Sequence, residues 1–171
     1  MRVLVVVDMQ NDFIDGSLGT KEAVGIVDNV ISKIKEFEEN NDLIIYTKDT
    51  HYADYLKTPE GIKLPVEHCI KNTHGWEIKD EILRGHNIVF EKETFGSVAL
   101  VEYLKTICFN EIHLIGLCTD ICVISNALLI KANFPEVNIY VDESCCAGVS
   151  VKSHREAINT MRMCQINIIG E

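Results

Sequence analysis

Short apolar runs alternate with longer amphipathic ones along the chain, and that alternation is its main structural signal. Arg2–Val7, rich in valine, is the first run and ends at the polar Asp8-Met9-Gln10-Asn11-Asp12. Val27, Val30, Ile31, Ile34 and Phe37 then recur at helical spacing, with Lys33, Lys35, Glu36 and Glu38 on the other face. Asn40-Asn41 closes that helix, and residues 43–47 read as a second buried strand. A long polar connection, 48–75, leads to a short helix over 76–83 that ends at Arg84-Gly85, then to a third strand over 87–91. Val98, Val101 and Leu104 mark one face of the next helix, followed by a strand at Glu111–Leu117 and a very apolar helix at 121–132. Asn133-Phe134-Pro135 breaks it before a strand over 137–142. His154, Ala157, Ile158 and Met161 indicate a last helix, and 166–169 a closing strand.

Six β runs separated by helices predict an α/β fold: a three-layer α/β/α sandwich around a six-stranded, mostly parallel, doubly wound sheet. The strands are continuously apolar, as strands covered on both faces must be. With 171 residues and no repeat, low-complexity tract or linker, the chain reads as one domain, 1–171.

The formal net charge of −10, with no dense Lys/Arg block, argues against nucleic acid and anionic membranes as partners. No run approaches the ~20 apolar residues of a membrane helix, and the first apolar run is too short for a signal peptide. A cytoplasmic protein is expected. Its seven cysteines are odd in number and several sit in apolar runs, so reduced thiols are the expectation.

Open α/β sheets bind ligands beyond the carboxyl ends of their strands. That edge collects Asp8, Gln10 and Phe13 after the first strand, Asp49 and His51 after the second, and Lys92 after the third. Cys118, Thr119 and Cys122 follow the fourth. A cysteine at a helix start lies near unpaired backbone N–H groups, which favour the thiolate. Cys122 is therefore the candidate nucleophile, Asp8 the base for its proton, and Lys92 the cation beside both. The backbone N–H groups of Cys118 and Cys122 suit an oxyanion. Each residue also has a plainer reading: Asp8 as a turn residue, Lys92 as a solvated charge between Glu91 and Glu93, Cys122 as a small core side chain. In an extended chain Asp49-Thr50-His51 puts its carboxylate and imidazole on one side, and with Glu60 and His68 downstream the set suits Zn, Fe or Mn. Surface histidines in a polar loop are the plainer alternative.

Asp8-Met9-Gln10-Asn11-Asp12-Phe13 and Gly116-Leu117-Cys118-Thr119-Asp120-Ile121-Cys122-Val123 resemble the opening and nucleophile motifs of the isochorismatase-like cysteine hydrolases. The resemblance implies an Asp8-Lys92-Cys122 triad, an oxyanion hole at Cys118 and Cys122, and a cis Leu117–Cys118 peptide. Leu64-Pro65-Val66-Glu67-His68-Cys69-Ile70 is similar to a metal-site segment of the nicotinamidases within that superfamily. It implies Asp49, His51 and His68 as ligands of a divalent metal, with Glu60 as a fourth, and no organic cofactor. The implied activity is that of a cysteine hydrolase, a metal-assisted amidase releasing ammonia from nicotinamide or a related small amide through a thioester. In that subfamily the metal binds the pyridine nitrogen. A homo-oligomer is also implied.

Two departures mark this chain. Leu64 stands where an aromatic residue often precedes the proline, leaving Phe13, with Phe95 or Trp76, to form aromatic walls. The stretch between Lys92 and Ser97 is short, implying an abbreviated lid. These features keep open an isochorismatase-type or N-carbamoyl/ureido hydrolase. A redox or metal-binding protein using Cys118 and Cys122, or Cys145-Cys146, and a catalytically silent ligand-binding member are the readings from other classes.

Overall fold

A computed structural model describes residues 1–83 and 88–170. The expected helix end at Arg84-Gly85 and the expected strand start at Asn87 lie outside the described residues. The strands are β1 (Arg2–Val7), β2 (Leu43–Asp49), β3 (Ile88–Lys92), β4 (Glu111–Leu117), β5 (Asn138–Ala147) and β6 (Asn167–Ile169). They form one sheet in the order β3-β2-β1-β4-β5-β6. Every pairing is parallel, so the sheet is wholly rather than mostly parallel. The chain winds outward from β1 in one direction to β3, then restarts at β4 and winds the other way. The switch point between β1 and β4 is where such sheets open a crevice.

Among the described residues, seven α-helices accompany the sheet: α1 (Asn11–Ile14), α2 (Lys21–Gly25), α3 (Val27–Glu39), α4 (Pro59–Lys63), α5 (Val98–Leu104), α6 (Ile124–Asn133) and α7 (Val151–Met163). Val3, Val5 and Val7 point to one face of β1 and share a core with Leu100 and Leu104 of α5, Ile130 of α6 and Met161 of α7. Leu4 and Val6 point to the other face and share a core with Val27, Val30, Ile34 and Phe37 of α3. Burying each such side chain contributes about 1.5–3 kcal/mol, so β1 is anchored through both layers.

Three expectations need correction. Residues 76–83 do not form a helix: their backbone pairs with the chain after β1 through Asn11 N–H to Glu77 O (3.0 Å) and Lys79 N–H to Met9 O (3.0 Å). Trp76, Ile78 and Ile82 are buried along a turn-rich path. The polar connection 48–75 holds a 3-10 turn at Tyr55–Lys57 and α4, the latter capped by the Thr58 hydroxyl accepting from Gly61 N–H. The helix expected from 121 is preceded by a π-helical turn, Thr119–Val123, and becomes α-helical only at Ile124.

Gly116 sits where the register of β4 on β5 shifts. Its φ of +118° is closed to other residues, and a Cβ there would collide with the Val7 carbonyl oxygen. The close approach of β1 and β4 that brings Asp8 to the cysteine turn thus requires glycine. Gly116→Ala is expected to cost about 3 kcal/mol or more, read as a lower urea midpoint with an unchanged slope.

Candidate active site

Asp8 follows β1 directly, with its carboxylate fully buried beneath the crevice. Its left-handed φ of +47° turns the chain sharply at the strand end. The Thr47 hydroxyl of β2 donates to Oδ1 at 2.6 Å. Oδ2 faces Lys92 Nζ at 2.6 Å as an ion contact without an aligned hydrogen bond, which leaves it an acceptor position. Lys92, the last residue of β3, stands beside Asp49 in register and reaches across β2 to Asp8. Its Nζ also lies 3.4 Å from Cys122 Sγ and 3.5 Å from Asp49 Oδ1. One buried ammonium thus joins Asp8, Asp49 and Cys122.

Burial pushes the Asp8 carboxyl up, with Lys92 pulling it back only in part. Against burial, Asp8, Cys122 and Asp49 hold Lys92 above its ordinary value, so it stays a cation. Burial raises the Cys122 thiol well above its usual range, and Asp8 raises it further against the pull of Lys92. Both effects oppose the thiolate that a helix start favours. Cys122 sits in the π-turn before α6, where Asp8 and burial outweigh the N-terminal donors. The cluster thus gathers a carboxyl, an ammonium and a thiol around Lys92 Nζ.

The connection after β2 supplies a second cluster. His51 N–H bonds to Cys69 O (2.9 Å) and Lys71 N–H to His51 O (2.8 Å), which draws the 68–71 segment alongside 49–51. The ligand atoms of Asp49, His51 and His68 then lie within 4.8 Å of one another. Asp49 Oδ2 is 3.0 Å from His51 Nε2 and 3.5 Å from His68 Nε2. Glu60 Oε1, on α4, approaches the same two nitrogens at 3.7 and 3.9 Å. The His68 Nδ1–H donates to Val66 O (2.8 Å), leaving Nε2 as a lone pair facing the cluster. His51 Nε2 is buried without a hydrogen bond. Despite burial, the His51 and His68 contacts and Lys92 hold Asp49 far below the ordinary carboxylate range. A buried carboxylate with two aimed imidazoles, one of them orphaned, fits a divalent metal.

A cavity of about 520 Å³ joins the two clusters, with Cys118, Cys122, Asp49, Glu60 and His68 in its wall. Phe13, Leu64 and Phe95 line it as well. Phe13 is buried with its ring 5.5 Å from that of His68, whereas Phe95 and Leu64 sit exposed at the rim. Trp76 is not a wall of this cavity: its Nε1–H donates to the Thr50 hydroxyl (2.9 Å) and Lys48 Nζ covers its ring. The Leu117–Cys118 peptide is cis. Cys118, Cys122, Cys145 and Cys146 are all unbonded, and burial drives Cys118 to about 12 and Cys145 to about 11, so neither is an activated thiol.

Several supporting residues were not picked out from the sequence. Asn126 is fully buried: it donates to Cys122 O (2.8 Å) and Phe95 O (3.2 Å) and accepts from Ser97 N–H (2.9 Å). It ties the cysteine turn to the short rim loop, and its position four residues after Cys122 was the available signal. Gln10, which the sequence had already placed at this edge, clamps Asp49 by accepting from its N–H (2.7 Å) and donating to its carbonyl (2.8 Å). Tyr55 packs on His51 and His68 and carried no motif at all.

The isochorismatase-domain family model matches residues 2–170. The nicotinamidase of Schizosaccharomyces pombe is 30% identical over 208 residues, covering 98% of this chain and 92% of that protein. The structure of Pyrococcus horikoshii pyrazinamidase in complex with zinc superposes with a TM-score of 0.87 at 26% identity, covering 99% of both chains. N-carbamoylsarcosine amidase from Thermoplasma acidophilum superposes at 0.78 with 28% identity, covering 98% of this chain and 95% of that one.

Titrating chelator-treated protein with zinc by calorimetry should show one ion per chain, with His68→Ala weakening binding about tenfold or more. Undiminished affinity in that variant would locate the ion elsewhere.

Proposed function

The chain belongs to the isochorismatase family, and from that premise we propose that it is a cysteine-dependent, metal-assisted amidase releasing ammonia from nicotinamide or a closely related small amide. The observation that carries this reading is the Asp8-Lys92-Cys122 contact sharing one cavity with the Asp49/His51/His68 cluster. The similarity to nicotinamidase and pyrazinamidase supports the same substrate class.

Asp49, His51 and His68, with Glu60, would hold zinc, iron or manganese, and the ion would supply a Lewis-acid contact to a heteroaromatic nitrogen. Phe13 and Leu64 bound the space for the ring. Asp8 Oδ2 takes the Cys122 thiol proton as the sulfur attacks the carboxamide carbon. Lys92 stays charged and balances the negative charge that has moved to sulfur. The N–H groups of Cys118 and Cys122 receive the oxyanion. Collapse of the tetrahedral species with the proton from Asp8 expels ammonia and leaves a thioester on Cys122. Asp8 then deprotonates the water that hydrolyses it, regenerating the thiol.

A second reading, hydrolysis of an N-carbamoyl or ureido compound, is favoured by one feature. Leu64 offers no aromatic face at the rim, and the Thermoplasma acidophilum amidase shares this fold.

Ammonia release should be measured on nicotinamide, pyrazinamide and an N-carbamoyl amino acid with metal-loaded enzyme. Cys122→Ala is expected to lower turnover by about 10³-fold or more. Cys118→Ala is expected to stay within about tenfold of wild type, because the backbone N–H remains. No ammonia above the Cys122→Ala background on either aromatic amide would sink the nicotinamidase reading.

Asp8 works as a base only when ionised, and its pKa is raised by burial. Activity is therefore expected to be present above that pKa and to fall as pH drops through it. The acid limb of kcat/KM should lie above the ordinary carboxylate value of about 4. A limb at or below that value would argue against Asp8 as the base.

A further inference from the structure

We propose that His154 is a positioning residue for the nucleophile turn, acting through the hydroxyl of Thr119; the catalytic part of the assignment rests on the amide-hydrolase reading above. Thr119 follows Cys118 and opens the π-helical turn that carries Cys122. Its side chain is fully buried, so its hydroxyl needs a partner inside the protein. That partner is His154 Nδ1, 2.8 Å away on the first turn of α7. His154 Nε2 lies 3.4 Å from Glu143 Oε1 on β5. With Nε2–H turned toward that carboxylate, Nδ1 is left to accept from the Thr119 hydroxyl.

A second tie runs between the same segments. Both carboxylate oxygens of Asp120 accept from Val149 N–H at 3.2 Å. Between the two ties, Gly148 packs so closely that a Cβ would come within 3.0 Å of His154 and 3.1 Å of Asp120. Consecutive side chains at the start of the turn are thus fastened to the junction of β5 and α7. From the other side, Asn126 of α6 holds the Cys122 carbonyl at 2.8 Å.

The two N–H groups assigned to the oxyanion belong to Cys118, directly before Thr119, and to Cys122, three residues after it. Rotation of Thr119 tilts both, and preorganised donors lose their effect once displaced by about 0.5 Å. The cavity wall includes Cys118 and Cys122 but neither Thr119 nor His154. Loosening this tie should therefore lower kcat and leave KM almost unchanged. A histidine that merely fills space at the start of α7 would instead alter stability alone.

The test uses Thr119→Val, which keeps the shape and removes the hydroxyl, and Thr119→Ser, which keeps the hydroxyl. His154→Ala, His154→Gln and the Thr119→Val/His154→Ala double variant complete the set. Nicotinamide turnover, urea midpoint and the rate of Cys122 alkylation by iodoacetamide, located by mass spectrometry, are measured on each. Thr119→Val and His154→Ala should each lower kcat about tenfold with KM within about twofold. The double variant should be no slower than the worse single, and Thr119→Ser should recover most of the loss. The Cys122 alkylation rate should change in the same order. Multiplying losses, a Thr119→Ser variant no better than Thr119→Val, or unchanged kcat in the folded single variants would overturn the proposal. If wild type releases no ammonia from nicotinamide, the nicotinamidase reading falls while the alkylation series still decides the clamp: equal rates in all folded variants overturn it. Should His154→Ala fail to fold, His154→Gln carries the comparison.

Discussion

A single buried ammonium sets the terms for this molecule. Lys92 Nζ has Asp8 at 2.6 Å, Cys122 at 3.4 Å and Asp49 at 3.5 Å, and its side chain is only 2% exposed. Removing a charge from water costs several kcal/mol unless partners replace the lost hydration. Here two carboxylates do so, and the geometry then requires three parallel strands ending at one level. β3 supplies the lysine, β2 supplies Asp49 beside it in register, and β1 supplies Asp8 beyond. The strand order β3-β2-β1-β4 is thus the arrangement that lets one lysine reach Asp8, Asp49 and Cys122 together.

On the far side of β1 the constraint is steric. The cysteine turn reaches Asp8 only because β1 and β4 approach closely at Val7 and Gly116, where no Cβ fits. After Gly116 the cis Leu117–Cys118 peptide and the π-helical turn lead into α6. The turn is irregular backbone held by groups from elsewhere: the Asn126 side chain at its carbonyl, the Val149 backbone N–H on Asp120 and the His154 side chain on Thr119. A segment that cannot stabilise itself through regular hydrogen bonding depends on such ties for its shape.

What was legible in the amino-acid order follows from this physics. β1 and β4 are buried on both faces, so their apolar runs mark their limits, and Arg2–Val7 and Glu111–Leu117 match the structure end to end. β2 runs on to Asp49 because its pairing with β3 continues where its side chains turn polar, and β5 resumes pairing with β4 at Cys146 and Ala147 after a register shift. Residues 76–83 misled because Trp76, Ile78 and Ile82 are buried for a tertiary reason, backbone pairing with 9–12, which periodicity cannot express. Strand-end residues such as Asp8, Asp49 and Lys92 were visible because a parallel sheet gathers its carboxyl ends. Thr47, Asn126 and Tyr55 were not, since each acts through a contact that only the folded chain creates.

Asp49 links the two halves of the site more tightly than either motif suggests. Its Oδ1 faces Lys92 at 3.5 Å while its Oδ2 faces His51 at 3.0 Å and His68 at 3.5 Å. The same carboxylate that orients the imidazoles therefore contributes to the field around Cys122, where it raises the thiol along with burial and Asp8. Positive charge gathered on the Oδ2 side offsets that contribution and eases ionisation of the thiol on the Oδ1 side. Because the group is buried, the offset is weakly screened and acts over a few ångströms. The Cys122 thiol and the Asp49/His51/His68 cluster are thus coupled electrostatically through one side chain.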